Sequence, residues 1–153
     1  MNEASWVDIV GLIISALTML SIIFAVTQIV AQTRQMHRDF EALYVERYWT
    51  LMDRRSGEFE RGGKPRKEDR LVIHQYLQLC EDEIDLRGEG RVTNDTWDFW
   101  ERSIRAQATE PHYLTALRSS AAHEYPSLKA LLRSKEAYDP LHWKASRRWW
   151  KGL

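Results

Sequence analysis

The chain has 153 residues, which is near the usual size of one domain and too short for an enzyme with separate cofactor and substrate domains. It carries 22 basic and 22 acidic residues, so it lacks the net positive field with which proteins bind nucleic acid. Only 4 prolines and 7 glycines are present, which argues against an all-β chain with many tight turns. We therefore expect an all-α protein without a nucleic-acid partner.

The strongest pattern in the chain is an apolar run without any charged residue at positions 9–30. A helix over this run is about 33 Å long, which is enough to cross a hydrocarbon core of about 30 Å. A cleaved signal peptide is the alternative, but it has a basic N-terminal region, whereas Glu3 and Asp8 precede this run. The run therefore predicts a retained transmembrane helix.

Charged residues on the two sides of the predicted span indicate its orientation. Arg34, Arg38 and Arg47 follow the span, whereas no Lys or Arg precedes it. Because basic flanks stay on the cytoplasmic side, residues 1–8 are expected outside and the long C-terminal part in the cytoplasm. The predicted location is the inner or plasma membrane of the cell, crossed once.

One face of the predicted span consists of small and hydroxyl-bearing side chains within about 120° of one another on a helical projection. These residues are Gly11, Ser15, Thr18, Ser21 and Ala25. Such a face lets two membrane helices approach closely, which predicts a helix-packing surface and a homo-oligomer. The alternative is that the hydroxyls donate to carbonyls of their own helix.

Behind the span, the pattern predicts a stem helix at 31–55, a loop at 56–67 and a cytoplasmic helical domain at 68–138. The stem contains no Pro or Gly and carries an apolar stripe. The stripe consists of Met36, Phe40, Leu43, Tyr44 and Leu51. Arg47 interrupts it, which favours packing of the stem against the domain over a coiled-coil seam.

The domain is predicted to begin with a helix from Glu68 that ends at Gly88 and Gly90 and is buried on one side. Its apolar face contains Val72, Ile73, Tyr76, Leu77, Leu79, Cys80, Ile84 and Leu86. The acidic run of Glu81, Asp82, Glu83 and Asp85 is interpreted as a solvated face of the same helix.

Three further helices are predicted from their start signals. Thr93 or Asn94 is expected to cap the first of them, and Pro111 and Pro126 open the other two. The core-facing residues of the capped helix are Trp97, Trp100 and Ile104. No alternating strand pattern occurs, so the helical class is predicted for the whole domain.

A polar stripe on the helix from Glu68 is the main candidate for chemistry; it consists of His74, Gln78, Glu81 and Asp85. Histidine and carboxylates bind divalent metals and act as general bases, so the stripe would carry the activity of a membrane-tethered hydrolase or nuclease. A solvated polar edge is the simpler interpretation, because the stripe lies opposite the apolar face. The sequence contains no phosphate-binding loop, dinucleotide fingerprint or metalloprotease motif. We therefore assign no catalytic, cofactor-binding or metal-binding residue.

The tail at 139–153 combines tryptophans with basic residues. Asp139 and Pro140 are expected to begin a short amphipathic helix that has the tryptophans on one side and the basic residues on another. The predicted lipid-interface residues are Trp143, Lys144, Arg147, Arg148, Trp149, Trp150 and Lys151. Positions 141–153 hold no acidic residue, which suits the anionic cytoplasmic leaflet. Alternatively, the tryptophans fold back onto the domain core.

Three local sequences carry a likeness to known proteins: a Gln- and Arg-rich exit from the span, a Glu46-Arg47-Tyr48-Trp49 segment, and the stretch at 74–83 followed by Thr96-Trp97 and Trp100. The exit consists of Gln28, Gln32, Arg34 and Gln35. Over residues 9–132 this arrangement resembles small single-span membrane-anchored proteins of unknown function from bacteria, with actinobacteria as one candidate group. The resemblance implies no catalytic residues.

Taken together, the sequence predicts a membrane-anchored cytoplasmic helical module that binds or scaffolds another protein, in contact with the bilayer and without assigned catalysis. Two alternatives belong to other classes. One is the tethered hydrolase or nuclease described above. The other is an effector that perturbs the bilayer on activation, for example in defence against phage.

Overall fold

A computed structural model describes residues 3–142, 144 and 146, with side chains from Trp6 onward. All regular elements in this part of the chain are helices, which confirms the predicted all-α class. The helices are α1 (Glu3–Met52), α2 (Gly57–Glu60), α3 (Asp69–Gly88), α4 (Asn94–Ala108), α5 (Pro111–Ser119) and α6 (Pro126–Arg133). The chain divides into two compact units, residues 1–36 and 37–153, and α1 contributes to both.

The first unit is the N-terminal part of α1, whose apolar window has a mean hydropathy of 2.7 and is entirely unburied. By length and composition this helix is able to cross a membrane. Its hydroxyls donate to carbonyls one turn earlier: Ser15 Oγ to Gly11 at 2.9 Å, Thr18 Oγ1 to Ile14 at 2.8 Å and Ser21 Oγ to Leu17 at 2.8 Å. These bonds match the alternative given for the small-residue face, and helix pairing stays a prediction.

In the second unit, α3 is the central helix, because α4, α5 and α6 all pack against it. The apolar face predicted for α3 lies in the core, with Leu86 packed at its edge. Trp97, Trp100 and Ile104 are buried as predicted. A helix surrounded by three others buries more than one narrow stripe, which explains the breadth of the apolar face on α3.

The last turns of α1 belong to this second core. Tyr44, Leu51 and Met52 are buried there, whereas Leu43 is about half exposed. Arg47, which interrupts the apolar stripe, forms an ion pair with Asp82 of α3 at 3.5 Å. The apolar stripe of the stem is thus partly covered within the second unit.

The region predicted as a loop at 56–67 contains the helical turn α2. Ser56 Oγ caps this turn by accepting from the backbone N–H of Phe59 at 3.3 Å, and Phe59 is buried. Asp69, fully buried at the start of α3, accepts from Ser56 N and Ser56 Oγ, both at 2.7 Å, and from Arg66 N at 2.6 Å. One carboxylate therefore ties both ends of the segment together, which gives the loop a compact form.

The predicted helix starts are largely confirmed, with one difference in chemistry. Pro111 and Pro126 begin α5 and α6, and Thr93 is the residue before α4. The Thr93 hydroxyl accepts no capping bond from a backbone N–H of α4; it donates to Glu41 Oε1 at 2.7 Å and lies 3.1 Å from the Thr96 hydroxyl. A nearby carboxylate on α1 is the stronger acceptor for this hydroxyl.

The expected helix start at Asp139 and Pro140 is wrong, because residues 134–142 are not helical. The Asp139 carboxylate accepts from the Arg87 guanidinium and from the backbone N–H of Leu141 at 2.9 Å. A buried guanidinium thus takes the group expected to cap a helix. Lys144 is exposed. The other predicted lipid-interface residues, Trp143, Arg147, Arg148, Trp149, Trp150 and Lys151, lie outside the described residues.

Candidate functional site

The polar stripe of α3 lies beside the start of α6. His74, Gln78 and Asp85 are exposed, which agrees with a solvated edge, whereas Glu81 is buried and departs from it. Glu81 is buried and accepts through Oε1 from Ser127 N at 2.8 Å and through Oε2 from Leu128 N at 2.7 Å. Asp85 Oδ1 accepts from Ser127 Oγ at 2.7 Å. Glu81 thus satisfies two backbone N–H groups in the first turn of α6, and both carboxylates lie near the positive end of the α6 dipole. Their bonds attach α6 to α3.

The residues that the structure describes contain no group of three His, Cys, Asp or Glu side chains placed to hold a metal ion. Within the stripe, His74 Nδ1 lies 3.5 Å from the Tyr125 hydroxyl, and Gln78 donates to Asp82 at 2.9 Å. The stripe thus contacts α6 and its own helix.

A second acidic residue of α3 stands in a different environment, at the base of a groove of about 250 Å³ formed by α1, α3 and α4. We call it the Glu83 groove. It is lined by Val45, Tyr48, Trp49, Tyr76, Glu83, Phe99, Trp100, Ser103 and Ile104. Glu83 is the one charged side chain in this lining, and five of its neighbours are aromatic.

Glu83 is only 7% exposed. The polar side chains around it direct their donors elsewhere. The Tyr48 hydroxyl donates to Gln107 at 3.2 Å, and Ser103 Oγ donates to the Phe99 carbonyl at 3.0 Å. The Tyr76 hydroxyl shares a hydrogen bond with the Cys80 thiol. Among the residues that the structure describes, none forms a hydrogen bond or ion pair with the Glu83 carboxylate. A buried carboxylate without a donor is unusual, since most buried polar groups are paired.

Burial has the expected effect on the ionisation of Glu83. Loss of water around the carboxyl raises its pKa from 4.5 to about 8. The positive charge of Arg47 lowers this value and the negative charge of Asp82 raises it, but both effects are smaller than that of burial. Glu83 therefore exchanges its proton near neutral pH, where a ligand of suitable charge can decide its state.

The rim of the Glu83 groove is apolar and exposed. Val45 is 44% exposed, Trp49 59% and Phe99 64%. Leaving large aromatic side chains in water forfeits about 1.5–3 kcal/mol each relative to burial, so such clusters mark binding surfaces. The rim and the buried carboxyl group together form a candidate site with a wide apolar mouth and one acidic group at neutral pH.

The aromatic rings of the groove are held by contacts with one another and with the core. Tyr48 lies edge-on to Trp49 with ring centroids 5.3 Å apart, and its ring is 6.3 Å from that of Tyr76. The ring centroids of Trp100 and Tyr44 lie 6.1 Å apart. Such edge-on and tilted arrangements are favourable for aromatic pairs. Four of the five rings of the groove, all except Phe99, thus pack against another ring.

A larger and shallower cleft of about 540 Å³ lies between α4 and the segment that follows α6. Arg105 in its lining donates to the Glu101 carboxylate and to the carbonyls of Ser134, at 2.9 Å, and Glu136, at 3.0 Å. These bonds attach the segment to α4. We therefore take the Glu83 groove as the candidate functional site.

Sequence reasoning missed Glu83 because it treated the whole acidic run as solvent-facing. A usable signal was present, since Glu83 is seven residues after Tyr76 and three after Cys80, positions that share one helix face. A carboxylate on an apolar face is the informative exception in such a pattern. No protein-family model matches this chain, and no curated protein or solved structure is significantly similar to it.

Proposed function

We propose that this chain is a single-pass protein of a bacterial cell membrane whose C-terminal helical domain serves as a protein-interaction module in the cytoplasm. The observation that carries the proposal is the exposed apolar rim of Val45, Trp49 and Phe99 around a groove with a buried carboxylate. Soluble domains keep such clusters small unless a partner covers them. The rim thus supplies the interaction surface, and the apolar helix supplies the anchor.

The anchor is supported by the uncharged run at 9–30, all of it unburied. A core helix of similar hydropathy would be covered by the rest of its domain, so the bilayer is the fitting environment for this one. Arg34, Arg38 and Arg47 support the cytoplasmic placement of the second unit.

Catalysis by the α3 stripe has less support than an interaction role. Glu81 accepts two backbone N–H bonds and Asp85 accepts a serine hydroxyl, so these carboxylates already have a structural role in attaching α6 to α3. Among the described residues that line the Glu83 groove, the titratable groups other than Glu83 are tyrosines whose pKa values are raised by burial.

Membrane anchoring is tested by fractionation and by a fused reporter. The protein should stay in the membrane pellet after extraction with alkaline carbonate, because a spanning helix is not released by charge repulsion. A reporter that is active only in the cytoplasm should be active when fused after Leu153. Release into the soluble fraction, or activity only of an exported reporter, would contradict the proposal.

The interaction role is tested by comparing proteins that co-purify with three forms of the full chain from detergent extracts. The wild type and a Leu71→Ala control should retain the same partner, and a Trp49→Ala/Phe99→Ala double variant should lose it. Leu71 is the matched control, since it is as exposed as Phe99 and lies outside the groove. Equal recovery from all three forms would contradict an interaction through this rim.

A further inference from the structure

We propose that the Glu83 groove binds a primary alkylammonium group, the lysine side chain of a protein partner. The inference rests on the proposed interaction role and names the chemical group that the module recognises. It follows from three features of the groove: the unpaired carboxyl group, the surrounding aromatic rings and the size of the groove.

The carboxylate calls for a cationic donor. Glu83 is buried at the base of the groove, and the hydroxyls of Tyr48, Tyr76 and Ser103 are used in other bonds. Arg47, the nearest compensating charge, is paired with Asp82 and partly exposed. A ligand that brings N–H donors and one positive charge would satisfy Glu83, whereas an anion or an apolar group would leave it unpaired in a dry site.

The surrounding rings suit a cation on an alkyl chain. Tyr48, Trp49, Tyr76, Phe99 and Trp100 line the groove. An ammonium ion is attracted to the faces of aromatic rings within about 6 Å of their centroids, and the methylenes behind it pack on the same rings. Tryptophan, the strongest partner in such contacts, occurs here twice.

The volume of the groove and the hydrogen-bond acceptors of Glu83 favour a primary ammonium over other cations. The groove holds about 250 Å³, below the range of about 300–1,000 Å³ that is usual for drug-sized ligands. A quaternary ammonium has no N–H to donate, so it would leave the Glu83 oxygens without a hydrogen bond. A primary ammonium has three donors on a compact head and satisfies both requirements.

The exposed rim points to a protein as the source of this group. A free amine needs only the base of the groove, whereas Val45, Trp49 and Phe99 extend apolar contact area out to the surface. A lysine that enters from a partner would bring neighbouring residues onto this rim. The rim then covers the ion pair from water, as residues around an interface hot spot do.

The experiment measures binding of small probes to the full chain in maltoside micelles, a detergent without cationic groups. The probes are Nα-acetyl-lysine N-methylamide, which keeps its side-chain ammonium, n-butylammonium, tetramethylammonium, n-butylguanidinium and neutral n-butanol. Their binding is followed by ligand-observed NMR titration at pH 9. The lysine amide and n-butylammonium should bind at least about tenfold more tightly than n-butanol, because only they donate a charged hydrogen bond. Tighter binding of tetramethylammonium or n-butylguanidinium would overturn the choice of a primary ammonium.

Matched variants attribute the binding to Glu83. Glu83→Gln should weaken lysine-amide binding by about tenfold or more, and Glu46→Gln, an exposed carboxylate on α1, should not change it. If Glu83→Gln does not fold, Trp49→Ala serves instead, since that exposed side chain is not part of the core. Unchanged binding in a folded Glu83→Gln or Trp49→Ala protein would overturn the proposal.

Acidity provides an independent readout. Residues of three helices surround Glu83. The titratable ones are Tyr44, Arg47 and Tyr48 on α1 and Tyr76, Cys80 and Asp82 on α3. The residues contributed by α4 do not titrate; they are Phe99, Trp100, Ser103 and Ile104. Burial raises the pKa of these tyrosines and of Cys80, so they stay neutral. Affinity should therefore rise between pH 6.5 and 9 as Glu83 ionises, and fall again near pH 10.4, where a lysine amine loses its proton. A flat profile would count against Glu83 as the acceptor.

The outcomes separate this inference from the proposed function. If the rim variant Trp49→Ala/Phe99→Ala loses its partner but no probe binds, the interaction role stands and the lysine assignment is wrong. If n-butylammonium binds and the lysine amide does not, a free amine is the ligand and the lysine assignment is again wrong. Lysine-amide binding that disappears in Glu83→Gln supports the inference in either case.

Discussion

Arg87 and Asp139 form a two-bond ion pair that joins the C-terminal end of α3 to the segment after α6. Arg87 Nε donates to Asp139 Oδ1 at 2.9 Å and Nη2 donates to Oδ2 at 2.7 Å. Arg87 is only 1% exposed, and its other donors reach the Val92 carbonyl at 2.8 Å and Asn94 Oδ1 at 2.7 Å. One buried guanidinium thus joins the end of α3, the start of α4 and a segment 52 residues further along the chain.

Removing the counterion of Arg87 should destabilise the second unit. For Asp139→Asn we expect the free energy of unfolding to fall by about 3 kcal/mol, because a buried guanidinium would lose its charge partner. Urea unfolding of the full chain, followed by near-ultraviolet circular dichroism, measures this. Asp53→Asn is the control, since Asp53 is exposed and should change stability by less than about 0.5 kcal/mol. Equal stability of the two variants would contradict the structural role of the pair.

Glu81 should be needed for α6 to dock on α3. In Glu81→Gln one carboxylate oxygen becomes an amide nitrogen, so one of the two backbone N–H bonds, to Ser127 or Leu128, is lost together with the negative charge. We expect a loss of about 1–3 kcal/mol in unfolding free energy, and less for Asp85→Asn, whose partner is a serine hydroxyl. Thermal unfolding of the two variants side by side checks the order, and the reverse order would be evidence against it.

The stability of the second unit should depend on pH through Glu83. Its folded pKa of about 8 lies above the ordinary value of 4.5, so the folded state holds the proton more tightly. This stabilisation is complete below pH 4.5 and is lost as the pH rises to about 8, by about 1 kcal/mol per pH unit. Glu83→Gln should remove that slope and should be more stable than the wild type at pH 8.5. Parallel slopes for wild type and variant would show that Glu83 is not the responsible group.

Asp69 should affect the pH dependence of stability in the opposite direction to Glu83, and at a lower pH. Burial by itself raises the pKa of Asp69, but hydrogen bonds from Ser56 and Arg66 outweigh burial and leave the pKa below its usual value. Its contribution to stability is present above pH 3.8 and is lost as the pH falls further. Asp69→Asn should therefore flatten the stability profile below pH 4 and leave the slope between pH 5 and 8 unchanged. Unfolding midpoints measured from pH 2.5 to 8 separate the two carboxylates.

Binding of the tail to lipid stays a prediction that vesicle sedimentation can test. A variant that begins at Gln35 should sediment with anionic vesicles and not with neutral ones, because each basic residue near such a surface contributes about 1 kcal/mol. Deletion of residues 143–153 should abolish the binding. The deletion begins after Leu141 because that side chain is buried. Melting of the domain on deletion, or binding that ignores lipid charge, would mean that the tryptophans belong to the core.

Periodicity along the chain was sufficient to predict the helices and most of the core. Val72, Ile73 and Tyr76 recur at helical spacing, and the same face is buried in the structure. Pro111 and Pro126 marked two helix starts because proline suits the first turn and no later one. These features are local, so they can be read from neighbouring residues alone.

The roles of the acidic residues could not be read in the same way. Glu81, Glu83 and Asp85 belong to one run in the sequence, yet Glu81 binds the start of α6 and Glu83 lies at the base of the groove. Asp139 looked like a helix cap and instead pairs with a guanidinium that is 52 residues away. The partner of a charged side chain is set by chain segments that meet only on folding.

By itself, the sequence determined the helical class, the uncharged anchor-length run and the apolar face of α3, since each depends on spacing within one segment. Only the tertiary structure shows that α1 and α4 surround Glu83 with aromatic rings and that no residue in the described part of the chain donates a hydrogen bond to it. The reason is physical: burial and hydrogen bonding depend on which surfaces pack together, and water accessible to an isolated helix is removed only when its neighbours close around it.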